Sequence, residues 1–233
     1  AEVDSPTYLG GLWHHDGVVM LDPARLAWGL LRVAKALGVR FFENTPARSI
    51  EAVQGAESTT VRIRTDGGSV GARNAVVATN AFRPQVRRIR RFVVPVYDHV
   101  LVTEPLTGNR LATIGWSNRQ GLSDVGSQFH YYRLTPDDRI LWGGWDALYH
   151  FGNRVDPTVE HSSSTSRLLA THFFETFPQL EGVAFTHRWS GPIGTTSRFT
   201  CAWGTSHRGR VAWSAGYTGL GVGTSRFGAR VAL

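Results

Sequence analysis

Between Val211 and Gly228 the chain reads Val-Ala-Trp-Ser-Ala-Gly-Tyr-Thr-Gly-Leu-Gly-Val-Gly-Thr-Ser-Arg-Phe-Gly. An apolar run, Val211 to Ala215, meets Gly216, Gly219, Gly221 and Gly223, and a segment able to form a helix begins at Thr224 or Ser225. A strand, a glycine turn and a helix start bring backbone close to a bound group and aim free N–H donors and the positive end of a helix dipole at it. The chemistry open to such a turn is stabilisation of negative charge on an electron-rich ligand. Glycine turns also serve plain chain packing, so the assignment depends on what accompanies this one. Other reactive groups are sparse. His14 and His15 are neighbours, which in a strand point to opposite faces, and no Cys or carboxylate completes a ligand set, so no metal is expected. Cys201, the single cysteine, excludes an intramolecular disulfide, reads as a structural thiol rather than a nucleophile, and fits a reducing cytoplasm.

The elements that position the glycine turn follow from composition and pattern. A chain of 233 residues with 42% hydrophobic and 18% charged residues is enough for one large domain or two intertwined ones. It contains no run of about 18 apolar residues and no cationic-then-apolar leader, so neither a membrane span nor a signal peptide is read. Ala1 to Pro6 carry no strand with a glycine fingerprint and the last residues read as helix interior, as expected of a piece cut from a longer chain. The +7 charge is almost wholly arginine and is scattered, apart from Arg83 and the cluster Arg87 to Arg91. That cluster reads as a solvated or covered face ahead of a nucleic-acid patch.

In chain order, Tyr8 to Met20 reads as a hairpin turning at His14 to Gly17. Asp22 and Pro23 form an N-cap and first helical residue, and Leu26, Leu30, Val33, Ala34 and Leu37 recur at helical spacing until Gly38. Val39 to Glu43 follows as a strand. Ile50 to Val53, Thr59 to Thr65 and Ser69 to Ala72 alternate in polarity as an antiparallel meander, turning at Asp66-Gly67-Gly68. Ala75 to Ala81 is a buried strand opening into Thr79 and Asn80, the kind of strand end where open α/β sheets place ligands. From Phe92 to about Ser190 long aromatic strands take over, at His99 to Thr103, Phe129 to Leu134, Ile140 to Gly144 and Ala184 to Ser190. Ser162 to Phe177 is their helix, with Leu169, Phe173 and Phe177 on one face and Pro178 as stop. The chain leaves one domain, builds another and returns.

This order of pieces resembles the D-amino-acid oxidase-like family of FAD-dependent oxidoreductases, the group that includes glycine oxidase, sarcosine oxidase and γ-glutamylputrescine oxidoreductase, the putrescine-type branch above all. The residues that carry the resemblance are Asp22-Pro23 with its helix, Gly38-Val39 before Phe42 to Thr45, Val76 to Ala81, Pro95, Tyr131-Tyr132-Arg133 ahead of Arg139 to Gly144, Trp189-Ser190-Gly191, and Ala215 to Val222. The fold class implied is α+β / α/β: a GR2-like FAD-binding domain, incomplete here, at 21–91 and 191–233. An antiparallel substrate domain is interleaved with it at 92–190, with 1–20 as a hairpin of that domain.

The resemblance implies a flavin domain sharing its sheet with a substrate domain and FAD stretched between, with Ala47 near the adenosine half and Ala78, Thr79 and Asn80 near the ribityl and phosphate part. Gly216, Gly219, Leu220 and Gly221 would present backbone to the flavin ring, where hydride uptake leaves negative charge. Substrate residues would come from the second domain. Tyr131 and Tyr132 lie on opposite faces of their strand, so one of them at most lines the site, and Arg133 shares the face of Tyr131 and suits a carboxylate. Trp145 and Trp189 could wall an amine pocket or simply pack. Hydride transfer from a neutral amine needs no strong protein base, which agrees with the lack of a Ser/His/Asp or paired-carboxylate set.

Three departures matter. The Gly-x-Gly-x-x-Gly turn of the family is not in this sequence. Arg154 stands where sarcosine-oxidase-type relatives carry an oxygen-activating lysine, which leaves oxidase and dehydrogenase both open. Cys201 lies beyond the stretch in which those relatives tether flavin, so non-covalent FAD is expected. The implied activity is oxidation of a small amine or amino acid at its C–N bond, with Tyr131 and Arg154 as candidate catalytic groups. The competing reading is a flavin-free binding or scaffold domain on the same fold. Oligomeric state is left open.

Overall fold

A computed structural model describes residues 2–55 and 59–232, which form two compact units. One comprises Ala1–Met20, Tyr97–Tyr149 and Asp156–Gly191, and the other Leu21–Val96, His150–Val155 and Pro192–Leu233.

The second unit opens with α1 (Pro23–Ala36), whose start is fixed by Asp22 Oδ1 accepting from the N–H groups of Ala24 and Arg25 at 2.9 and 3.0 Å. Its apolar stripe, Leu26, Leu30 and Val33, leaves no residue of the helix buried. The meander is present as β1 (Ser49–Gln54), β2 (Thr59–Thr65) and β3 (Gly68–Ala72), in register Ile50 with Ile63 and Ala52 with Val61. Next along the chain, β4 (Ala75–Val77) is short. It pairs in parallel with a strand from the far end of the sequence, β12 (Val211–Ala215), so that Val77 lies opposite Trp213.

In the first unit β5 (Val94–Thr103) is followed by a short helix α2 (Gly108–Ile114), β6 (Leu122–Ser123), β7 (His130–Leu134), β8 (Ile140–Gly144) and β9 (Leu148–Tyr149). The helix α3 (Ser163–Thr176) and β10 (Phe185–Thr195), whose last residues from Pro192 count with the second unit, complete it, in a sheet ordered β10-β5-β8-β7-β6 with β9 also paired to β5. Alternation along β7 sends His130, Tyr132 and Leu134 into the core and leaves Tyr131 and Arg133 on the other face. The core joins these residues to Leu101 and Trp142 of neighbouring strands and to Leu169, Phe173 and Phe177 of the α3 segment. The chain ends in the second unit with β11 (Ala202–Ser206), antiparallel to β12, and α4 (Gly221–Ala232). That unit's core gathers Val61, Val77, Ile89, Val211 and Trp213.

Several expected elements differ. No strand forms in 8–20: Leu9 and Leu12 are 103% and 83% exposed, and Gly10-Gly11 has no neighbouring ladder to hold it extended. His15 instead stacks on Trp13 at 4.6 Å. Val39 to Glu43 is not a strand either, since no described strand pairs with it, and Phe42 is 64% exposed. The buried strand expected to reach Ala81 stops at Val77, and α4 begins at Gly221 rather than at Thr224. Arg87–Arg91 is a 3-10 turn anchored by buried Ile89, with its arginines exposed. Among the described residues no helix is long and apolar enough to cross a membrane.

Phe173, with 0% exposure and ring contacts to Trp142, Phe177 and Phe185, sits at the centre of the first unit. Phe173→Ala is expected to cost about 3–5 kcal/mol in urea unfolding, and a loss below about 1 kcal/mol would contradict this packing.

Candidate functional site

The glycine turn after β12 is fixed from two sides within its unit. Asn80, at the end of the β4 segment with φ +44°, accepts the Gly216 N–H on its Oδ1 at 3.0 Å. Thr218 donates its N–H to the Gly194 carbonyl of β10 at 2.9 Å and its hydroxyl to the Gly216 carbonyl at 3.1 Å. Gly216 has φ +74°, and a Cβ there would lie 2.3 Å from Thr196 Cγ2, so both conformation and space demand glycine. Beyond it Gly219 and Leu220 are exposed, and the first ladder bond of α4 is from Thr224 N–H to Leu220 C=O at 3.2 Å. The N–H groups at Gly221, Val222 and Gly223 therefore precede the helix's own ladder, at the positive end of its dipole. Asn80, which follows Ala78 and Thr79 in the chain, is thus brought to Gly216, at the head of the segment that carries Gly219, Leu220 and Gly221. Ala47 lies elsewhere in that unit, its carbonyl accepting from Gln85 Nε2 at 2.6 Å in a cavity of about 440 Å³ rimmed by Arg48, Arg83 and Arg90.

The substrate residues separate onto two sides of the first unit's sheet. Tyr131 and Arg133 share the face away from α3. Trp145 is on the α3 side, stacked on His130 at 4.9 Å and edge-on to His172 of α3 at 4.6 Å. Trp189 lines a cavity of about 90 Å³ with His99, Arg188 and serines at the start of α3. The two tryptophans therefore do not join Tyr131. Arg154 is exposed in the 150–155 segment of the other unit, its N–H donating to the His150 carbonyl at 3.3 Å.

Two carboxylates that the sequence pattern does not mark organise this sheet. Asp98 on β5 accepts the Tyr131 hydroxyl on Oδ2 at 2.5 Å and takes backbone hydrogen bonds from His99 and Gly144. Burial pushes the Asp98 carboxyl above its ordinary value, against the pull of those donors, and burial beside Asp98 pushes the Tyr131 hydroxyl well up. On the α3 side Asp124 Oδ2 holds His130 Nδ1 at 2.5 Å, so the Nδ1 proton is spent on the carboxylate, and Nε2 accepts from His172 Nδ1 at 3.0 Å. Tyr132 donates to Asp124 Oδ1 at 3.3 Å and also bonds the hydroxyl of Tyr8. The sequence signal for both carboxylates was faint: each is a lone acid, near or within a strand of alternating polarity, with no partner in sequence. Among the described residues no group of three or more His, Cys, Asp or Glu is placed to hold a metal.

The chain matches the family of FAD dependent oxidoreductases, DAO, over residues 1–232, and it belongs to that family. It is 28% identical over 235 aligned positions to the probable oxidoreductase OrdL of Haemophilus influenzae, covering 97% of this chain and 49% of that protein. It is 31% identical over 195 positions to the γ-glutamylputrescine oxidoreductase of Escherichia coli, covering 82% of this chain and 41% of the other. The glycine oxidase of Geobacillus kaustophilus shares the fold, with a TM-score of 0.68 at 20% identity over 89% of this chain and 52% of that one. The chain thus spans about half the length of the relatives it matches. FAD is the cofactor of the family, and the turn fits it: exposed backbone donors at a helix start, held by Asn80, suit a ring that accumulates negative charge.

Two outcomes follow from this geometry. Gly216→Ala is expected to lower stability by about 1–3 kcal/mol through its positive φ and the contact with Thr196, measured by thermal unfolding. The second concerns His130, held below its ordinary 6.5 chiefly by burial, with Asp124 opposing and His172 adding to the drop. A depressed folded value means stability is fully present above 6.5 and is lost as pH falls through the folded value. The melting temperature should therefore drop between about pH 7.5 and about pH 5.5, and His130→Gln should flatten that limb.

Proposed function

We propose that the full-length protein binds FAD non-covalently and oxidises a small amine or amino acid at its C–N bond by hydride transfer. The observation that carries the reading is the Asn80–Gly216 junction, which holds a glycine turn and helix start open in a chain of this family. FAD, when bound, supplies the hydride acceptor. The residues of the chain do the rest. Asn80 fixes the turn, and Ala78 and Thr79 would lie along the cofactor's tail. Gly216, Gly219, Leu220 and Gly221 would present backbone to its ring, with the Gly221 N–H ahead of the helix's own ladder as a donor, and the Ala47 backbone would meet the adenosine half. Tyr131 and Arg133, on one face of β7, are the substrate contacts, Arg133 taking a carboxylate or carbonyl. Arg154 would supply positive charge for the reoxidising acceptor, whether oxygen or another.

Support for the substrate class comes from the relative named γ-glutamylputrescine oxidoreductase. Half-buried Cys201, the single cysteine, supports a reducing cytoplasmic location. The unburied stripe of α1, together with Val39 and Phe42, would be covered in the full-length protein by the half that this chain does not span.

The test is spectroscopic. Purified full-length protein should absorb near 450 nm and be bleached anaerobically by an amine substrate, and Asn80→Ala should lower its flavin content. Protein that is colourless and gains no flavin on reconstitution would instead support the flavin-free scaffold.

A further inference from the structure

We propose that Asp98 fixes the direction of the Tyr131 hydrogen bond, so that Tyr131 meets the substrate as an acceptor and selects its amine N–H over a carboxylate. This deepens the amine-oxidising reading and rests on it.

The geometry spans three adjacent strands, β5, β8 and β7. Tyr131 pairs in register with Gly143 of β8, and a Cβ built on Gly143 would lie 2.7 Å from both Cζ and the hydroxyl oxygen of Tyr131. The ring therefore lies across β8 where only glycine leaves room, and reaches β5 on its far side. There its O–H donates to Asp98 Oδ2 at 2.5 Å. An ionised carboxylate has no proton to give, so the one hydrogen of the phenol is committed to Asp98. Burial pushes that carboxyl above its ordinary value, and the Tyr131 hydroxyl and the backbone N–H groups of His99 and Gly144 oppose the rise by donating to it.

What the phenol oxygen has left for a ligand is lone pairs. An ammonium or amine N–H completes them, and the negative charge of Asp98 behind the ring strengthens that contact. A carboxylate would bring oxygen against oxygen with the same charge opposing it. Asp98 is thus a positioning residue acting through Tyr131, and Gly143 is the residue that lets the ring reach it. Arg133 shares that face, and its guanidinium, which only donates, has the opposite preference. The substrate class favoured is an amine that carries a carboxylate or carbonyl group elsewhere.

The test uses the full-length, flavin-loaded protein and two probes of one shape, tert-butylamine, which has no oxidisable α-hydrogen, and pivalate. Their affinities are read by calorimetry or by the shift of the flavin band. Tyr131→Phe, Asp98→Asn and Gly143→Ala are each expected to weaken tert-butylamine about tenfold and to leave pivalate unchanged or tighter. With an oxidisable amine the same variants should raise KM about tenfold with a smaller change in kcat. Unchanged flavin content and pivalate affinity show that the variants are folded. Equal weakening of both probes, or unmoved amine affinity and KM, overturns the assignment of Asp98 while the oxidase or dehydrogenase reading stands. A wild-type protein whose flavin no amine reduces overturns both.

Discussion

The bond from the Gly216 N–H to Asn80 Oδ1 joins two chain segments far apart in sequence, and the geometry of the glycine turn depends on it. Parallel pairing of β4 with β12 brings those segments side by side, Val77 opposite Trp213, but the ladder ends there. Past the ladder the backbone has no regular partner, and the Asn80 side chain supplies one. Both partners occupy left-handed backbone, Asn80 at φ +44° and Gly216 at +74°, a conformation that asparagine and glycine tolerate and most residues resist. Thr218 at +51° and Gly219 at +84° continue the left-handed backbone through the turn, and the N–H groups of Gly221 to Gly223 at the start of α4 precede that helix's own ladder.

Elements whose signals are local were legible in the sequence. Helix α1 announces itself by Asp22-Pro23 at its start and Gly38 at its end, and α3 by Ser162 and the spacing of Leu169, Phe173 and Phe177. The meander was legible because alternation sets which face of β2 is buried, and Val61 and Ile63 face inward as that predicts. What failed was local pattern without a partner. Tyr8 to Met20 and Val39 to Glu43 have strand composition, yet extended chain pays its conformational entropy only where a neighbouring ladder and buried apolar faces repay it. Helix α2 has little sequence signal because its seven residues begin with Gly108-Asn109, a poor helix start held by the Thr107 cap. The early start of α4 at Gly221 has the same logic: packing overrides the weak propensity of Gly221 and Gly223.

The candidate site was legible where backbone chemistry defines it and obscure where side chains do. Glycine spacing pointed to the turn, and a strand opening into Thr79 and Asn80 pointed to its partner. On the first unit's sheet the strand period separated Tyr131 from Tyr132, but period alone does not say which face is core. Trp145 illustrates the difficulty. It follows Gly144, whose φ of +105° ends the ladder, and its own φ of +65° turns the ring back over His130. An aromatic that by sequence could wall an amine pocket or simply pack is thereby placed against the α3 side.

The same sheet shows what a buried carboxylate contributes that a carboxamide would not. Burial disfavours the charged form of Asp98, yet a carboxamide, with one acceptor oxygen and an NH2 that only donates, could not accept from Tyr131, His99 and Gly144 together as the two carboxylate oxygens do. A carboxamide both donates and accepts, and leaves the phenol proton free to point either way. The ionised carboxylate accepts only, and through one hydrogen bond it removes that freedom. The desolvation cost of the charge is thus exchanged for a defined hydrogen-bond direction, which is the property an amine-selecting surface requires.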